Sequence, residues 1–276
     1  MIVICLSTYN GERFLREQLD SILAQTYTNW CLYVRDDGSK DATMDILKEY
    51  AQKDKRIHVV SDHQNIGAKH SFMRLVEQCE QADYYAFADQ DDVWDADKME
   101  IALQTMQAAE VQYPDRPIVV HTDLRVVDAN LQPIASSFWQ YSHIRPELLD
   151  SNIHYLALCN SVTGCAMLFN QAARACSLPM PEDAYMHDLW IAQRTMLAGG
   201  QIIPIFKTPI AYRQHGKNVI GASEYSVMRR SWKQRRQTTQ LVYTISHPHI
   251  FANKWQFWWW KMIYICHRIL KPNKHG

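Results

Sequence analysis

Three acidic residues, Asp89, Asp91 and Asp92, lie together in the stretch YYAFADQDDVWD, directly after an apolar segment. Carboxylates this close repel one another unless a cation lies among them. Side chains alternate in an extended chain, so Asp89 and Asp91 can reach one hard cation while Gln90 points away. A few oxygen ligands partly open to water suit Mg²⁺ or Mn²⁺ carrying a phosphate. The alternative is capping, because acids before a helix complement its dipole. The spacing alone leaves both interpretations open.

The elements that carry these acids alternate over the first 125 residues. Continuous apolar runs predict buried strands at IVICLS, CLYVR, RIHVVS and YYAFA, and the segments between them have apolar residues at helical spacing. Strands separated by helices of this length indicate βαβ units and a parallel sheet. Ligands of such sheets bind beyond the carboxyl ends of the strands. The residues that follow each strand are therefore the candidates for function.

Polar side chains follow all four predicted strands, and they include Thr8, Tyr9, Asp37, Asn65, Lys69 and the acidic cluster. Past residue 115 the pattern is less regular. There we predict one or two strands with a bend in PIVVHTDLRVVD, further strands in SVTGCAMLFN, QIIPIF and PIAYRQH, and a helix in HDLWIAQRTMLAG. Residues 136–158 have no clear pattern.

Charge is distributed unevenly along a chain whose formal net charge is zero. The segment from Arg213 onward contains twelve Lys or Arg and one Glu, so it carries +11 and residues 1–212 carry −11. This asymmetry predicts an anionic partner for the tail. Seven cysteines without a CxxC pair favour reduced thiols in a cytosolic protein. We expect no signal peptide and no transmembrane helix, because the apolar runs are short.

The chain resembles family 2 glycosyltransferases with the GT-A fold. The similar motifs occur in order as STYNGERFLREQLDSILAQTY, RDDGSKDAT, NIGAKHSF and FADQDDVW, over residues 1–95, and the resemblance continues weakly to about 215. The DQDDVW form, with HTDLRVVD, MHD and YRQH behind it, is most similar to bacterial rhamnosyltransferases of cell-wall and capsular polysaccharides. The resemblance implies one α/β, Rossmann-like domain with a mixed, mostly parallel sheet. We expect it over 1–220, with a nucleotide-binding half (1–115) and an acceptor half (116–220), before a helical tail over 221–276.

The resemblance also implies roles for the polar residues. Asp91 would hold a divalent metal, Mn²⁺ or Mg²⁺, that bridges the donor's diphosphate, Asp89 would contact the ribose, and Asp37 would contact the base. Lys69 could reach a phosphate, although a lone lysine on a helix is commonly solvated. The full set predicted to bind the nucleotide sugar is Thr8, Tyr9, Asp37, Asn65, Lys69, Asp89 and Gln90.

Two later residues complete the predicted site. Asp188 in YMHDLW lies at a predicted helix start, where Asp is a common cap. The resemblance implies instead a general base that deprotonates the acceptor hydroxyl, with His187 as a weaker second candidate. His215 ends PIAYRQH, where the family often supplies a metal ligand, although a lone histidine is usually structural or solvated. The chain lacks the QxxRW motif of polymerising members, which favours the addition of a single sugar.

The C-terminal sequence ANKWQFWWWKMIYICHRILKPNK predicts an amphipathic helix. Lys254, Lys261 and Arg268 form a basic stripe. The adjoining apolar face contains Trp255, Trp258, Trp259, Met262, Cys266 and Ile269, and an upstream basic cluster contains Arg229, Arg230, Lys233, Arg235 and Arg236. Trp-rich helices flanked by basic residues suit the surface of an anionic membrane. The alternative is a helix packed on the catalytic domain or on a partner in a homodimer, whereas the acidic body disfavours nucleic acid.

Together these features predict a metal-dependent inverting glycosyltransferase. The preferred donor is dTDP-L-rhamnose and the preferred acceptor is a lipid-linked glycan. We expect the enzyme to be cytoplasmic and peripheral on the inner face of a bacterial membrane. One alternative is a UDP-hexose transferase of the same family. The other is a non-catalytic subunit that binds nucleotide sugars.

Overall fold

A computed structural model of the chain describes residues 1–60, 64–215, 239, 243 and 250–270. In its first half, strands and helices alternate as predicted. The strands are β1 (Ile2–Thr8), β2 (Trp30–Asp36), β3 (Ile57–Val59) and β4 (Tyr84–Ala88), and the helices are α1 (Leu15–Leu23), α2 (Thr43–Lys53) and α3 (Ala68–Gln78). Both faces of this sheet are covered, so the strands read as continuous apolar runs rather than alternating ones.

The second half is built from shorter elements. They are β5 (Val93–Trp94), α4 (Lys98–Gln112), β6 (Ile118–Thr122), β7 (Arg125–Asp128), β8 (Pro133–Ala135), α5 (Phe138–Tyr141), α6 (Pro146–Leu149), α7 (Ile153–Leu158), a 3₁₀ turn (Gly164–Ala166), β9 (Met167–Asn170), α8 (Gln171–Ser177), α9 (His187–Leu197), β10 (Gln201–Ile205), β11 (Ile210–Gln214) and α10 (Lys254–Leu270). The segment that lacked a clear sequence pattern contains three helices of four to six residues. Helices this short show too few turns for a period of 3.6 to be recognised.

The strands form a seven-stranded sheet in the order β10-β6-β9-β4-β1-β2-β3. Only β9 runs antiparallel to its neighbours in this sheet, β4 and β6. The prediction of a mixed, mostly parallel central sheet is therefore confirmed. A second sheet has the order β5-β11-β7-β8. It brings β11 beside β5, and this pairing carries the end of β11 to the residues that follow β4.

The C-terminal helix α10 packs by one face against α7. The rings of His154 and Trp260 stack with centroids 4.2 Å apart, and the Tyr155 hydroxyl lies 2.8 Å from Nδ1 of His267. The opposite face is exposed, and it contains Trp255, Trp258, Trp259, Met262, Ile265 and Cys266. Packing on the domain and an exposed apolar face therefore occur together.

The predicted basic stripe needs a correction. Lys254 is exposed, but Lys261 is half-buried, with its ammonium near the rings of Phe257 and Trp258 and 2.5 Å from the Thr239 hydroxyl. Burial lowers the pKa of Lys261. The side chains of Arg268 and Ile269, the upstream cluster at 229–236 and the boundary at residue 220 lie outside the described residues, so these parts stay predictions.

Within the described ranges no helix is both long and apolar enough to cross a membrane. The seven cysteines all lie in those ranges, and none forms a disulfide, in agreement with the expectation of free thiols. Four are buried in the sheet core or beside it, and Cys266 is exposed.

Candidate active site

Strand β4 delivers three acids to the carboxyl edge of the large sheet. Asp91 is 9% exposed and Asp92 is fully buried, while Asp89 is half-buried. The following helix α4 begins at Lys98, and the residue at its N-cap position, Asp97, makes no capping hydrogen bond through its side chain. The acids lie between the end of β4 and β5, the strand that pairs with β11, so they do not cap α4.

Asp91 and His215 are brought together from positions 124 residues apart in the chain. Nε2 of His215 lies 2.6 Å from Oδ2 of Asp91. The imidazole stacks on Phe14 with ring centroids 4.9 Å apart, and the Arg213 Nε donates to the Asp91 carbonyl oxygen at 2.7 Å. The two side chains contact each other directly, and a carboxylate oxygen beside an imidazole nitrogen is a donor set that suits Mn²⁺ or Mg²⁺ when a diphosphate and water supply the other ligands.

A second set of donor atoms lies deeper. The ligand atoms of Asp89, Asp92 and Cys165 lie within 4.8 Å of one another, and Oδ2 of Asp92 has no hydrogen-bond partner. This set already faces an internal cation, because the buried Lys98 ammonium interacts electrostatically with Asp92 and Cys165. Burial lowers the pKa of Lys98 to about 7, and its ammonium lies 3.6 Å from the centroid of a Trp94 ring. The buried lysine makes this set a poorer metal site than Asp91 and His215.

Asp188 lies in the first turn of α9, at the same edge. Burial raises the pKa of its carboxyl to about 6. The carboxylate accepts a hydrogen bond from the backbone N–H of Leu189 at 2.6 Å, and the Gly164 N–H and the Asn160 side chain act against the rise in its pKa. Burial first, then the charges of Asp91 and Asp188, raise the pKa of Asp89 to about 7. The charge of Asp89 therefore interacts with both the candidate metal ligand Asp91 and the candidate base Asp188.

His187, the second candidate for a base, has a different environment. Its ring is 3% exposed, and neither ring nitrogen has a hydrogen-bond partner. It stacks on Phe72 at 4.4 Å and meets the edge of Phe87 at 4.7 Å. Burial lowers its pKa to about 3. A neutral imidazole held in an aromatic cluster is unsuited to take a proton, so His187 is a core residue.

The residues after β1 form a rigid frame with the acidic loop. The Tyr9 N–H donates to Oε1 of Gln90 at 2.9 Å, and Nε2 of Gln90 donates back to the Tyr9 carbonyl oxygen at 3.1 Å. The amide passes close to Gly11, where a Cβ atom would lie 2.3 Å from Oε1 of Gln90. Thr8 is buried and donates to Asp36 at 3.1 Å. Gln90 therefore ties β1 to the end of β4.

Asp37 holds the segment that leads into α3. Its carboxylate pairs with Nη1 of Arg35 at 2.5 Å and accepts the N–H groups of Ile66 and Gly67, each at 2.9 Å. Asn65 donates through its side chain to the Asp37 carbonyl oxygen, also at 2.9 Å. The nucleotide-binding roles of Asp37 and Asn65 stay predictions.

Lys69 reaches across to the second half of the chain. Its ammonium donates to the carbonyl oxygens of Glu182 and Ala184, both at 2.7 Å, in the segment before α9. The simple alternative of a solvated lysine is therefore wrong. Its contact with a phosphate stays a prediction.

Sequence reasoning missed Lys98 and Cys165. Both make their contacts with residues distant in sequence, and no spacing pattern marks them. A lysine in the first turn of a helix, where a cation opposes the helix dipole, was the one available signal for Lys98.

Comparison with known proteins identifies the family. The family model described as Glycosyl transferase family 2 matches residues 3–175. The chain belongs to this family. Among its relatives, it is 26% identical over 243 residues to the putative teichuronic acid biosynthesis glycosyltransferase TuaG of Bacillus subtilis, covering 87% of this chain and 89% of that protein. It is 24% identical over 262 residues to the dTDP-rhamnosyl transferase RfbG of Shigella flexneri, covering 90% and 87%.

Solved structures give the fold of this glycosyltransferase. S. aureus TarS 1–349 in complex with UDP-GlcNAc superposes with a TM-score of 0.61 at 18% identity, over 87% of this chain and 65% of that one. The mannosyltransferase PcManGT from Pyrobaculum calidifontis, in complex with GDP-Man and Mn²⁺, superposes with a TM-score of 0.58 at 15% identity, over 99% and 76%. The predicted GT-A fold is confirmed, and related structures bind nucleotide sugars, in one case with Mn²⁺.

Proposed function

We propose that this family 2 glycosyltransferase transfers one sugar, with inversion, from a nucleoside-diphosphate donor to a hydroxyl of a lipid-linked glycan in bacterial surface polysaccharide synthesis. The observation that supports it most is that a candidate cation site and a candidate general base lie at the same edge of the sheet. Asp91 and His215 form a candidate cation site, and Asp188 is a carboxylate whose pKa burial raises to about 6. A base with a pKa near the working pH is ionised yet still able to take a proton.

In this proposal Asp188 takes the proton of the acceptor hydroxyl. The hydroxyl oxygen forms a bond to the anomeric carbon as the bond from that carbon to the diphosphate oxygen breaks, and its electron pair leaves with the nucleoside diphosphate. Attack from the face opposite the leaving group inverts the anomeric configuration. Asp89 and the frame of Thr8, Tyr9, Asp37, Asn65, Lys69 and Gln90 would hold the nucleotide sugar in place for this attack.

Asp91 and His215 would hold a divalent cation, Mn²⁺ or Mg²⁺, whose chemistry when bound is to offset the charge of the leaving diphosphate. The fit rests on the donor set, because Nε2 of His215 and Oδ2 of Asp91 lie 2.6 Å apart and their side chains are still 11% and 13% exposed. The buried ammonium of Lys98 interacts with Asp92 and Cys165, so its positive charge offsets the negative charge of the deeper set. That set is therefore separate from the proposed metal site.

The donor sugar is the finer part of the proposal. We infer dTDP-L-rhamnose because RfbG, similar over 90% of this chain, is named a dTDP-rhamnosyl transferase, and because the DQDDVW motif resembles rhamnosyltransferases. TarS binds UDP-GlcNAc, so a UDP-hexose is the competing donor.

A donor-hydrolysis screen tests this function directly. Purified protein is incubated with Mn²⁺ and dTDP-L-rhamnose, UDP-glucose, UDP-GlcNAc or GDP-mannose, and the released nucleoside diphosphate is measured. We expect the fastest release from dTDP-L-rhamnose and none from the Asp91→Asn variant. Faster release from a UDP-sugar would show that the donor is a UDP-sugar and would leave the proposed reaction class unchanged. Nucleotide binding without release of product from any donor would support the non-catalytic subunit.

We further infer that the exposed face of α10 lies against an anionic membrane, where a lipid-linked acceptor would be found. Helix α10 contains no acidic residue, and Trp255, Trp258 and Trp259 are 86%, 51% and 65% exposed. Indole rings favour the interface between lipid headgroups and acyl chains. The segment from Arg213 onward carries +11, which an anionic surface attracts by about 1 kcal/mol per basic residue.

Vesicle co-sedimentation tests this surface. We expect binding to vesicles that contain phosphatidylglycerol, weaker at high salt because salt screens the charges. Replacing Trp255, Trp258 and Trp259 together by Ala should remove most binding. The matched control replaces Val111 and Phe206, which are 86% and 56% exposed elsewhere on the molecule, by Ala and should bind as the wild type does. If the wild type ignores these vesicles and the triple variant changes from dimer to monomer, the face is a homodimer contact and the membrane inference fails.

A further inference from the structure

Arg213 on β11 is the largest of the fully buried side chains in the part of the chain that the structure describes, with 1% of its surface exposed. A charge taken out of water is costly unless hydrogen-bond partners replace the water. The three guanidinium nitrogens have partners on three different elements. Nε donates to the carbonyl oxygen of Asp91 after β4, and Nη1 to that of Ala129 between β7 and β8, both at 2.7 Å. Nη2 donates to the carboxylate of Glu17 on α1 at 2.5 Å.

The backbone of Arg213 adds a further contact with the acidic loop after β4. The Arg213 N–H donates to Oδ1 of Asp92 at 3.1 Å, so two successive residues of that loop are bound by one arginine. The turn between β7 and β8 is itself held in place, because Oδ1 of Asp128 accepts the N–H groups of Asn130 at 2.8 Å and of Gln132 at 2.9 Å. The guanidinium therefore joins the acidic loop to a fixed turn and to a helix.

Arg213 and His215 also contact the same aromatic ring. The two residues are two positions apart at the end of β11, and side chains at this spacing lie on the same side of an extended chain. The guanidinium carbon of Arg213 lies 4.5 Å from the centroid of the buried Phe14 ring, and the His215 imidazole stacks on that ring with centroids 4.9 Å apart. A guanidinium is attracted to an aromatic ring at this distance. Phe14 therefore links the position of the imidazole to that of the guanidinium.

We propose that Arg213 is the positioning residue of the candidate cation site. Its guanidinium holds the backbone of Asp91 and, through Phe14, the ring of His215, so that the two side chains stay beside each other as a pair that can bind Mn²⁺ or Mg²⁺. Groups that hold metal ligands in place from outside are a general requirement of metal sites. Glu17 offsets the charge of the guanidinium, which would otherwise repel a nearby cation. This inference rests on the proposed cation site.

Three variants of the whole chain test the inference. Arg213→Met keeps most of the volume and removes every donor of the side chain. Arg213→Lys keeps the charge but loses the planar fork, so it cannot bind three elements at once. Glu17→Gln keeps the arginine and removes the ion pair. Mn²⁺ binding is measured by electron paramagnetic resonance of the free ion, with UDP or dTDP added and the nucleotide without protein as the blank. The half-saturating Mn²⁺ concentration is also measured in hydrolysis of the best donor.

Both substitutions of Arg213 should raise the half-saturating Mn²⁺ concentration by about 10- to 100-fold, the usual effect of losing a group that orients a metal ligand. Glu17→Gln should raise it by about two- to fivefold, because an ion pair with one half-exposed partner contributes less. Wild-type Mn²⁺ binding by Arg213→Met or by Arg213→Lys would overturn the inference. If neither Arg213 variant folds, Glu17→Gln decides, and an unchanged half-saturating concentration in that variant would overturn the inference.

A merely structural role of Arg213 would change different quantities. A destabilised enzyme has fewer active molecules and a lower maximal rate, but its folded molecules bind Mn²⁺ with wild-type affinity. The matched control is Arg125→Met. Arg125 lies on β7, the neighbour of β11, and donates to both carboxylate oxygens of Asp95 at 2.7 Å. This control should lower the melting temperature and leave the half-saturating Mn²⁺ concentration unchanged. Equal shifts in Arg125→Met and Arg213→Met would overturn the inference, because Mn²⁺ affinity would then follow general stability.

The wild type separates failure of this inference from failure of the function on which it rests. If the wild type binds no Mn²⁺ with either nucleotide and hydrolyses its donor equally well in EDTA, the cation site fails and the role of Arg213 fails with it. If the wild type binds Mn²⁺ and Arg213→Met binds it equally well, the cation site stands and only the role of Arg213 is lost. Asp91→Asn, which removes a proposed ligand, should weaken Mn²⁺ binding more than Arg213→Met does. The reverse order would overturn the assignment of Arg213 as a residue that acts through Asp91.

Discussion

The two acidic pairs at the sheet edge, after β2 and after β4, have opposite environments. After β2, Asp36 accepts hydrogen bonds from Thr8, Gly38 and Ser39 at 2.5–3.1 Å, and Asp37 pairs with Arg35 and two backbone N–H groups. After β4, Oδ2 of Asp92 has no hydrogen-bond partner. Burial raises the pKa of Asp89 to about 7 and that of Asp92 well above its usual range.

This difference distinguishes acids that stabilise the fold from acids that are available for binding and catalysis. Carboxylates whose oxygens are satisfied within the protein stabilise the fold and orient the loops around them. Carboxylates buried with few partners destabilise the folded state until a cation or a substrate supplies what is missing, and such groups concentrate at functional sites. We therefore propose that the β2 pair builds the nucleotide-binding edge and that the β4 acids, with Asp188, form the reactive edge. Variants of the two groups should fail in different ways.

The largest expected effect is the loss of the cation at the β4 edge. EDTA should abolish transfer, and Mn²⁺ or Mg²⁺ should restore it. Asp91→Asn should lose activity while keeping its circular dichroism spectrum and melting temperature, because the proposed role of the Asp91 carboxylate is to bind the cation and not to stabilise the fold. The matched control is Asp95→Asn, four residues on, which pairs with Arg125 at a half-exposed site and should keep metal-dependent activity. Full activity in chelator would remove the metal from the proposal.

Removal of the base should have the next largest effect. Asp188→Asn should lower turnover by about 10²–10⁴-fold, the range for loss of a general base, and should leave the affinity for the donor nucleotide near normal. Turnover and nucleotide affinity, the latter by calorimetry, check this. Near-normal turnover would remove Asp188 as the base, and His187 would not replace it, because His187 is buried in an aromatic cluster.

Stability gives the most direct test of the comparison. Asp37→Asn should lower the free energy of unfolding by about 3–5 kcal/mol, because it leaves the buried Arg35 without its charge partner. Asp92→Asn should lower that free energy by much less, since Asn keeps Oδ1 for the Arg213 N–H and removes a charge that burial disfavours, and Lys98, whose pKa burial lowers to about 7, can release its proton once Asp92 no longer faces it. Urea unfolding of both variants without metal measures the contrast. Equal destabilisation by the two substitutions would show that the edges do not differ.

Much of the fold and part of the candidate site could be predicted from the sequence, because strands and the residues that follow them are marked by local sequence patterns. Apolar runs of five to seven residues marked β1, β2 and β4, and the residues just after them proved to lie at one edge. The contact of Asp91 with His215 could be predicted only through the family resemblance, since 124 residues separate them. The burial of Lys98 and Lys261 leaves no periodic signal, because it depends on how distant elements pack.

The smallest effect should be a pH dependence with opposite signs for activity and stability. Asp188 must be ionised to act as a base, so turnover should rise with pH up to about 6 and fall about tenfold per unit below pH 5. The contribution of the Asp188 carboxyl to the free energy of unfolding has the opposite pH dependence. The folded pKa of about 6 lies above the ordinary 3.8, so the folded state binds more protons between these values and loses stability as pH rises through them.

The measurement must be a difference between two proteins, because His187 and Lys98 have lowered pKa values and change the stability in the opposite sense. The free energy of unfolding of Asp188→Asn minus that of the wild type should grow by about 1–3 kcal/mol from pH 4 to pH 6 and then level off. A difference that is flat or shrinks over this range would mean that the Asp188 carboxyl is not held in a destabilising environment, and the β4 edge would then resemble the β2 edge.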